Sequence, residues 1–176
     1  MKLRNCLMAA CAALFLSAGL AHAETKAFGI TLSKSKGSDV QSLYEGAKID
    51  SNDSIWGGKI YNIPSEDVEF DGLVSLLVGT DSDDVVVAII SSVRKSKIDF
   101  IMSQLNEKYH LKKKVLPYVG NKYAEYANDG DVIILDAPHM SFEADLSYLT
   151  NTARKVMVDI QKKRSDNRKR QDASQL

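Results

Sequence analysis

Residues 72–80 (GLVSLLVGT), the turn Asp81-Ser82-Asp83-Asp84 and residues 85–93 (VVVAIISSV) decide the fold. Two apolar runs flank four polar residues, the pattern of an antiparallel hairpin. The second run is β-branched almost throughout, so its strand is predicted to be buried on both faces inside a sheet. The period then changes. Ile98, Ile101, Met102, Leu105 and Tyr109 recur at i, i+3, i+4, i+7 and i+11, one apolar stripe of a helix over 96–110. Ser96 is its candidate cap, and Asp99 in the first turn suits the helix dipole. The stripe reads as a core-facing surface.

Upstream, residues 27–32 read as a short strand and 35–39 as a polar turn. Val40, Leu43 and Tyr44 predict a short helix over 39–45, with Ser38 and Gln41 as a capping pair and Gly46 as its end. Residues 55–63 (IWGGKIYNI) read as a strand stopped by Pro64. Downstream, strands are expected at 113–119, 122–127 and 132–137. Asn128-Asp129-Gly130-Asp131 between the last two is a strong hairpin signal. After Pro138, Phe142, Ala144, Leu146 and Tyr148 alternate with Glu143, Asp145 and Ser147, a half-buried strand. Asn151 is the candidate cap of a last helix carrying Ala153, Val156, Met157 and Ile160 on one side. The fold class is therefore α+β: antiparallel sheet with helices packed on one face. Residues 24–161 form one domain. Its segments 24–95 and 96–161 each have a helix leading into a meander, as two related α-β-β-β halves would, though residue identity between them does not establish a duplication.

The ends differ from this body. Lys2 and Arg4, an uncharged apolar run over 6–20 and Ala21-His22-Ala23 form the three parts of a cleaved export signal, with the mature chain starting at Glu24. The run is too short for a comfortable membrane span of ~20 residues. Met8-Ala9-Ala10-Cys11 loosely matches a lipoprotein site, but cleavage there would leave apolar residues 12–20 on the mature protein. Both cysteines, Cys6 and Cys11, lie within the signal, so the mature chain has no disulfide, thiolate metal site or cysteine nucleophile. The expected location is the bacterial periplasm or the exterior. Residues 24–161 carry 15 bases and 21 acids, whereas 162–176 carry six bases and two acids. That is no nucleic-acid footprint over a folded face. The 162–176 segment lacks apolar residues at helical spacing and reads as a basic flexible tail, suited to weak contact with anionic surfaces.

Phe28-Gly29-Ile30, Tyr61, the set Phe100, Leu105, Lys108 and Tyr109, residues 129–135 (DGDVIIL) and Leu146-Ser147-Tyr148 together resemble small secreted bacterial proteins of α+β architecture. The resemblance implies fold and compartment over 27–160 and brings no catalytic residues. His110 stands where such proteins often have Gly.

No nucleophile elbow, phosphate loop, dinucleotide fingerprint or His-Glu-x-x-His motif occurs. His139 lies three residues after Asp136 at the Pro138 turn, and this pair is the one place for a small hydrolase or metal-dependent enzyme. A turn histidine bonded to a carboxylate is the plainer reading. Asp81, Asp83 and Asp84 lack the central Gly and downstream Glu of a calcium loop and read as a polar hairpin tip. Trp56, followed by Gly57-Gly58, is either a partner anchor or core, the glycines allowing a bulge or close backbone approach. Tyr118, Tyr123 and Tyr126 suit either a recognition face or strand propensity. The leading reading is a periplasmic binding or accessory protein without catalytic residues, metal or cofactor. Its binding candidates are Trp56, Tyr118, Tyr123, Tyr126 and His139, and its partner is an envelope protein or ligand. Intact-mass analysis of exported protein should give a chain starting at Glu24 with neither thiol nor lipid. A lipidated Cys11 would place it on a membrane instead.

Overall fold

The computed structural model describes residues 24–175. The export signal at 1–23, with Cys6 and Cys11, and Leu176 lie outside the described residues. In chain order the elements are β1 (Lys26–Ala27), β2 (Ile30–Thr31), α1 (Gly37–Leu43), β3 (Lys48–Ser51), β4 (Gly57–Ile63), β5 (Leu73–Asp81), β6 (Val86–Arg94), α2 (Ile98–Lys108), β7 (His110–Val115), β8 (Lys122–Asn128), β9 (Asp131–Ala137), β10 (Glu143–Thr150) and α3 (Asn151–Ala173). β1 and β2 make a small hairpin. The other eight strands form one sheet in the order β3-β4-β5-β6-β10-β9-β8-β7, every neighbour antiparallel. The chain meanders inward from β3 to β6, crosses through α2 to the far edge at β7, and meanders inward again to β10 beside β6. Among the described residues the fold is mixed α+β, with a large antiparallel sheet and three α-helices.

β6 is interior, paired with β5 and β10. Its apolar run meets partners on both faces, and a bulge shifts the alternation within it. Gly79 pairs with Ala88 but Thr80 with Val86, so Val87 is an extra residue. Val86, Ile89 and Val93 therefore join the main core, while Val87 and Ala88 turn to the other face. The Asp129-Gly130 turn has positive φ at both residues, +43° and +92°, as a two-residue type I′ hairpin requires.

The main core lies on the face covered by α1 and α2. Val40 of α1 and Ile98, Ile101, Met102 and Leu105 of α2 pack there with Leu76, Ile89, Ile133, Leu146 and Tyr148. α3 departs from the expectation of helices on one face. Its Ala153 and Met157 pack with Ala88, Leu149 and Ile134, and Leu149 alternates with Tyr148 along β10, so α3 roots on the opposite face. The helix also runs on to Ala173, where the sequence reading places a flexible tail from Lys162. The 162–173 stretch has neither Gly nor Pro and is rich in Lys and Arg. Lys162 with Asp166, Asp166 with Arg170, and Arg168 with Asp172 are opposite charges at helical spacing. It is nonetheless exposed throughout.

Other boundaries moved for local reasons. β3 is an edge strand without alternation and had no sequence signal. The Ala27 segment folds back on itself at Phe28-Gly29. α1 starts at Gly37, and Asp39 accepts the Lys36 backbone N–H at 2.8 Å. α2 starts at Ile98 after a single turn of 3-10 helix over Lys95–Lys97, and ends because Tyr109 is already extended (φ −132°). It thus passes directly into β7, which stops at Val115, before Pro117. The last helix is capped by Thr150, whose hydroxyl accepts the Ala153 N–H at 3.1 Å, and not by Asn151.

Leu105→Ala should cost ~2–5 kcal/mol, as for other buried leucines, whereas Val158→Ala on the exposed side of α3 should change stability by no more than ~0.5 kcal/mol. Urea denaturation of both variants measures the difference.

Candidate functional site

Phe28 and Gly29 connect β1 to β2 as a two-residue turn, with φ of +49° and +75°. Positive φ is ordinary for Gly and costly for a residue as bulky as Phe. Asn or Asp is the usual occupant of that turn position. The Phe28 ring compensates by packing edge-on against Phe70 at 5.8 Å, with the planes at 90°. Its carbonyl accepts the Tyr44 hydroxyl at 2.7 Å, tying the hairpin to the end of α1.

These contacts make one wall of a cleft of about 460 Å³ between the β1–β2 turn, the 68–70 segment and α2. Volumes of ~300–1,000 Å³ are usual for ligand sites. α2 contributes Phe100, Ile101, Gln104, Leu105 and Lys108, a helical spacing that puts all five on one side. The floor is Leu146 and Tyr148, consecutive inward positions of β10. Tyr109 closes the end, edge-on to Tyr148 at 6.4 Å, with its hydroxyl 3.4 Å from the Lys26 carbonyl that accepts from it. Phe28, Tyr44, Phe70, Phe100, Tyr109 and Tyr148 are six of the chain's thirteen aromatic residues, gathered from positions 28 to 148. Lys26, Lys108 and Glu69 stand exposed at the rim. Burial raises the phenol pKa of Tyr44, Tyr109 and Tyr148, so all three are neutral donors at physiological pH. The cleft offers aromatic surface, three phenols and an amide, and no nucleophile paired with a base.

The residues singled out by sequence go elsewhere. The Trp56 ring lies over Gly79, where a Cβ would come within 2.3 Å of it, and its indole N–H donates to the Ala153 carbonyl at 3.2 Å. It fastens α3 to the sheet. Gly58 comes so close to β5 that a Cβ would sit 2.1 Å from the Asp81 carbonyl oxygen, the close backbone approach the glycine pair suggests. Tyr126 is buried and donates to Asn106 at 3.1 Å, joining β8 to α2. Tyr123, three residues earlier, is on the other face. It donates to Glu125 at 2.7 Å, Arg154 donates to the same carboxylate oxygen at 2.9 Å, and the Lys113 ammonium lies 5.5 Å from the Tyr123 ring centre. Burial, then the bond and charge of Glu125, push the Tyr123 phenol up to about 12.

Tyr118 and His139 lie on two loops that are tied together. The Gly120 N–H donates to His139 Nδ1 at 3.3 Å, and the His139 N–H donates to the Asn121 side chain at 2.8 Å. The imidazole is thus engaged by a backbone amide. Among the described residues no group of three His, Cys, Asp or Glu is placed to hold a metal. In the Asp81–Asp84 turn, Asp81 accepts the N–H groups of Asp83 and Val85, each at 3.0 Å, while Asp84 accepts the hydroxyls of Tyr61 and Thr80, each at 3.2 Å. Those carboxylates hold the hairpin, and the Asp84 backbone carbonyl accepts the Gly37 N–H at 3.0 Å at the start of α1. Compared with known protein families, curated proteins and solved structures, the chain finds no match.

Spacing missed the cleft because its aromatics come from five separate segments. The one local signal was Phe-Gly at a hairpin turn.

Six tyrosines, Tyr44, Tyr61, Tyr109, Tyr123, Tyr126 and Tyr148, have phenols raised above the ordinary 10.0, chiefly by burial. A raised folded-state phenol disfavours ionisation in the native state, so above about pH 10 the unfolded chain releases more protons and stability falls as pH rises. The urea midpoint should hold between neutrality and about pH 9 and drop above about pH 10, with tyrosinate absorbance rising together with unfolding.

Proposed function

We propose that this chain is an exported, non-enzymatic binding or accessory protein of the bacterial envelope, and that the aromatic cleft seats its ligand. The observation that carries this reading is the gathering of six aromatic side chains around one cleft, one of them held at positive φ. An aromatic residue in a turn position that favours Asn imposes backbone strain, and such strain concentrates at functional sites. The ligand matched to these walls has a flat or aliphatic body that stacks on the rings and a polar group that meets the phenols and Gln104. Lys26 and Lys108 at the rim favour an anionic end. The basic extension of α3 adds weak attraction to anionic envelope surfaces, screened beyond ~8 Å at physiological salt. The two inward-running meanders, each preceded by a helix, also support reading 24–95 and 96–161 as diverged copies of one unit. An enzyme built on Asp136 and His139 draws little support: His139 Nδ1 accepts the Gly120 N–H, and among the described residues no third ligand group joins the pair.

Anilinonaphthalene sulfonate, an aromatic anion, probes the cleft directly. The mature protein should bind it saturably with enhanced fluorescence. Phe100 is 57% exposed, so Phe100→Ser should weaken binding by about tenfold, the loss of part of one ring's burial, while leaving the melting temperature nearly unchanged. No saturable binding, or equal binding by Phe100→Ser, overturns the reading.

A further inference from the structure

The loop between β7 and β8 and the loop between β9 and β10 lie side by side and carry bare apolar side chains. Tyr118 is fully exposed, Phe142 is 93% exposed, Met140 90% and Val119 65%. Scattered apolar residues on a surface are normal, but four of this size on two joined loops are not. The loops are also braced from beneath. Besides the Gly120, His139 and Asn121 bonds, the Lys95 ammonium donates to the carbonyls of Pro138, His139 and Ser141 at 2.6, 3.1 and 3.3 Å. The Lys95 backbone N–H donates to the Phe142 carbonyl at 2.8 Å. The apolar tips are therefore presented on a fixed support.

Charge surrounds them. β7 is an edge strand exposed along its whole length, with Lys112, Lys113 and Lys114 leading to this loop, and Lys122 begins the strand after it. Of the nearby acids, Glu143 accepts the Ser92 hydroxyl at 2.8 Å, and Asp136 and Asp145, paired across β9 and β10, are exposed on the sheet face behind the tips. Protruding apolar tips beside lysines fit a soft interface with an anionic surface, because each tip can be buried there without a matching pocket. Tyr suits the polar-apolar boundary of such an interface.

We propose that the paired 116–121 and 138–142 loops are a membrane-docking surface for anionic bilayers. Tyr118, Val119, Met140 and Phe142 enter the headgroup region, and Lys112, Lys114 and Lys122 beside the loops supply the positive charge that meets the lipid phosphates. This rests on the envelope location proposed above but not on the cleft, so the two stand or fall separately.

Cosedimentation of protein 24–176 with phosphatidylglycerol/phosphatidylethanolamine vesicles, and with phosphatidylcholine vesicles as the neutral arm, tests this. Binding to the anionic vesicles is expected, falling as salt rises. The Tyr118→Ser/Phe142→Ser double variant should bind about tenfold less or weaker, with an unchanged melting temperature and unchanged anilinonaphthalene sulfonate binding. Lys112→Gln/Lys114→Gln should remove the preference for anionic over neutral lipid. A chain truncated after Gln161 should keep the tip-dependent binding. Equal binding by the tip variant, or loss of all binding on truncation alone, overturns the proposal. So does concentration-dependent self-association that the tip variant abolishes without vesicle binding by the parent protein, which would assign the tips to a second copy of this chain.

Discussion

The antiparallel pairing of β6 with β10 is the contact on which the rest of the molecule depends. It brings residues 86–94 against 143–150 and joins two inward-running meanders into one sheet. The two strands contribute Ile89, Val93, Ala144, Leu146 and Tyr148 to the main core. The buried Ser91 hydroxyl, donating to the Leu146 carbonyl at 3.0 Å, adds a side-chain bond across the seam. Closing so long a loop costs entropy that the burial of both faces offsets. α2 lies between the meanders in sequence and on the finished core in space, so its stripe and the seam are buried together.

From this seam the two faces take different characters. On the helix face the core is continuous and apolar, and the cleft opens where α2, the β1–β2 turn and the 68–70 segment fail to close over Leu146 and Tyr148. On the other face the β6 bulge turns Val87 and Ala88 outward together, giving α3 a small apolar footing with Leu149 and Ile134. Trp56 clamps that footing from across the sheet through Gly79 and the Ala153 carbonyl. Beyond it the face is polar: Glu125 holds Tyr123 and Arg154. Burial and the charges of Asp136 and Glu143 raise the carboxyl pKa of Asp145.

The pairing also separates the proposed working parts. The bare loop tips lie beyond the start of β10, and α3 leaves from its end. The strand between them provides the Leu146 and Tyr148 floor of the cleft. A bound ligand and a docked surface would therefore be held by one rigid framework without sharing residues.

The hairpin at 72–93, the amphipathic stripe of α2, the Asp129-Gly130 turn and the alternation of 142–148 were legible because each depends on side chains close together in the chain. Periodicity and turn chemistry are local quantities. The edge strand β3 was not legible, because an exposed strand needs no apolar alternation. Nor was the continuation of α3 to Ala173, since an exposed helix shows propensity and charge spacing but no stripe. The three tyrosines grouped by number were dispersed by the strand's own period, Tyr123 and Tyr126 falling on opposite faces and Tyr118 into a loop. The sequence by itself determined the central hairpin, the α2 stripe, the Asp129-Gly130 turn and the α+β class, because each is a matter of near neighbours in the chain. Only the tertiary structure decided which strands meet, on which face α3 roots, and that six distant aromatic residues share one cleft, because those outcomes follow from burying apolar surface between segments remote in the chain.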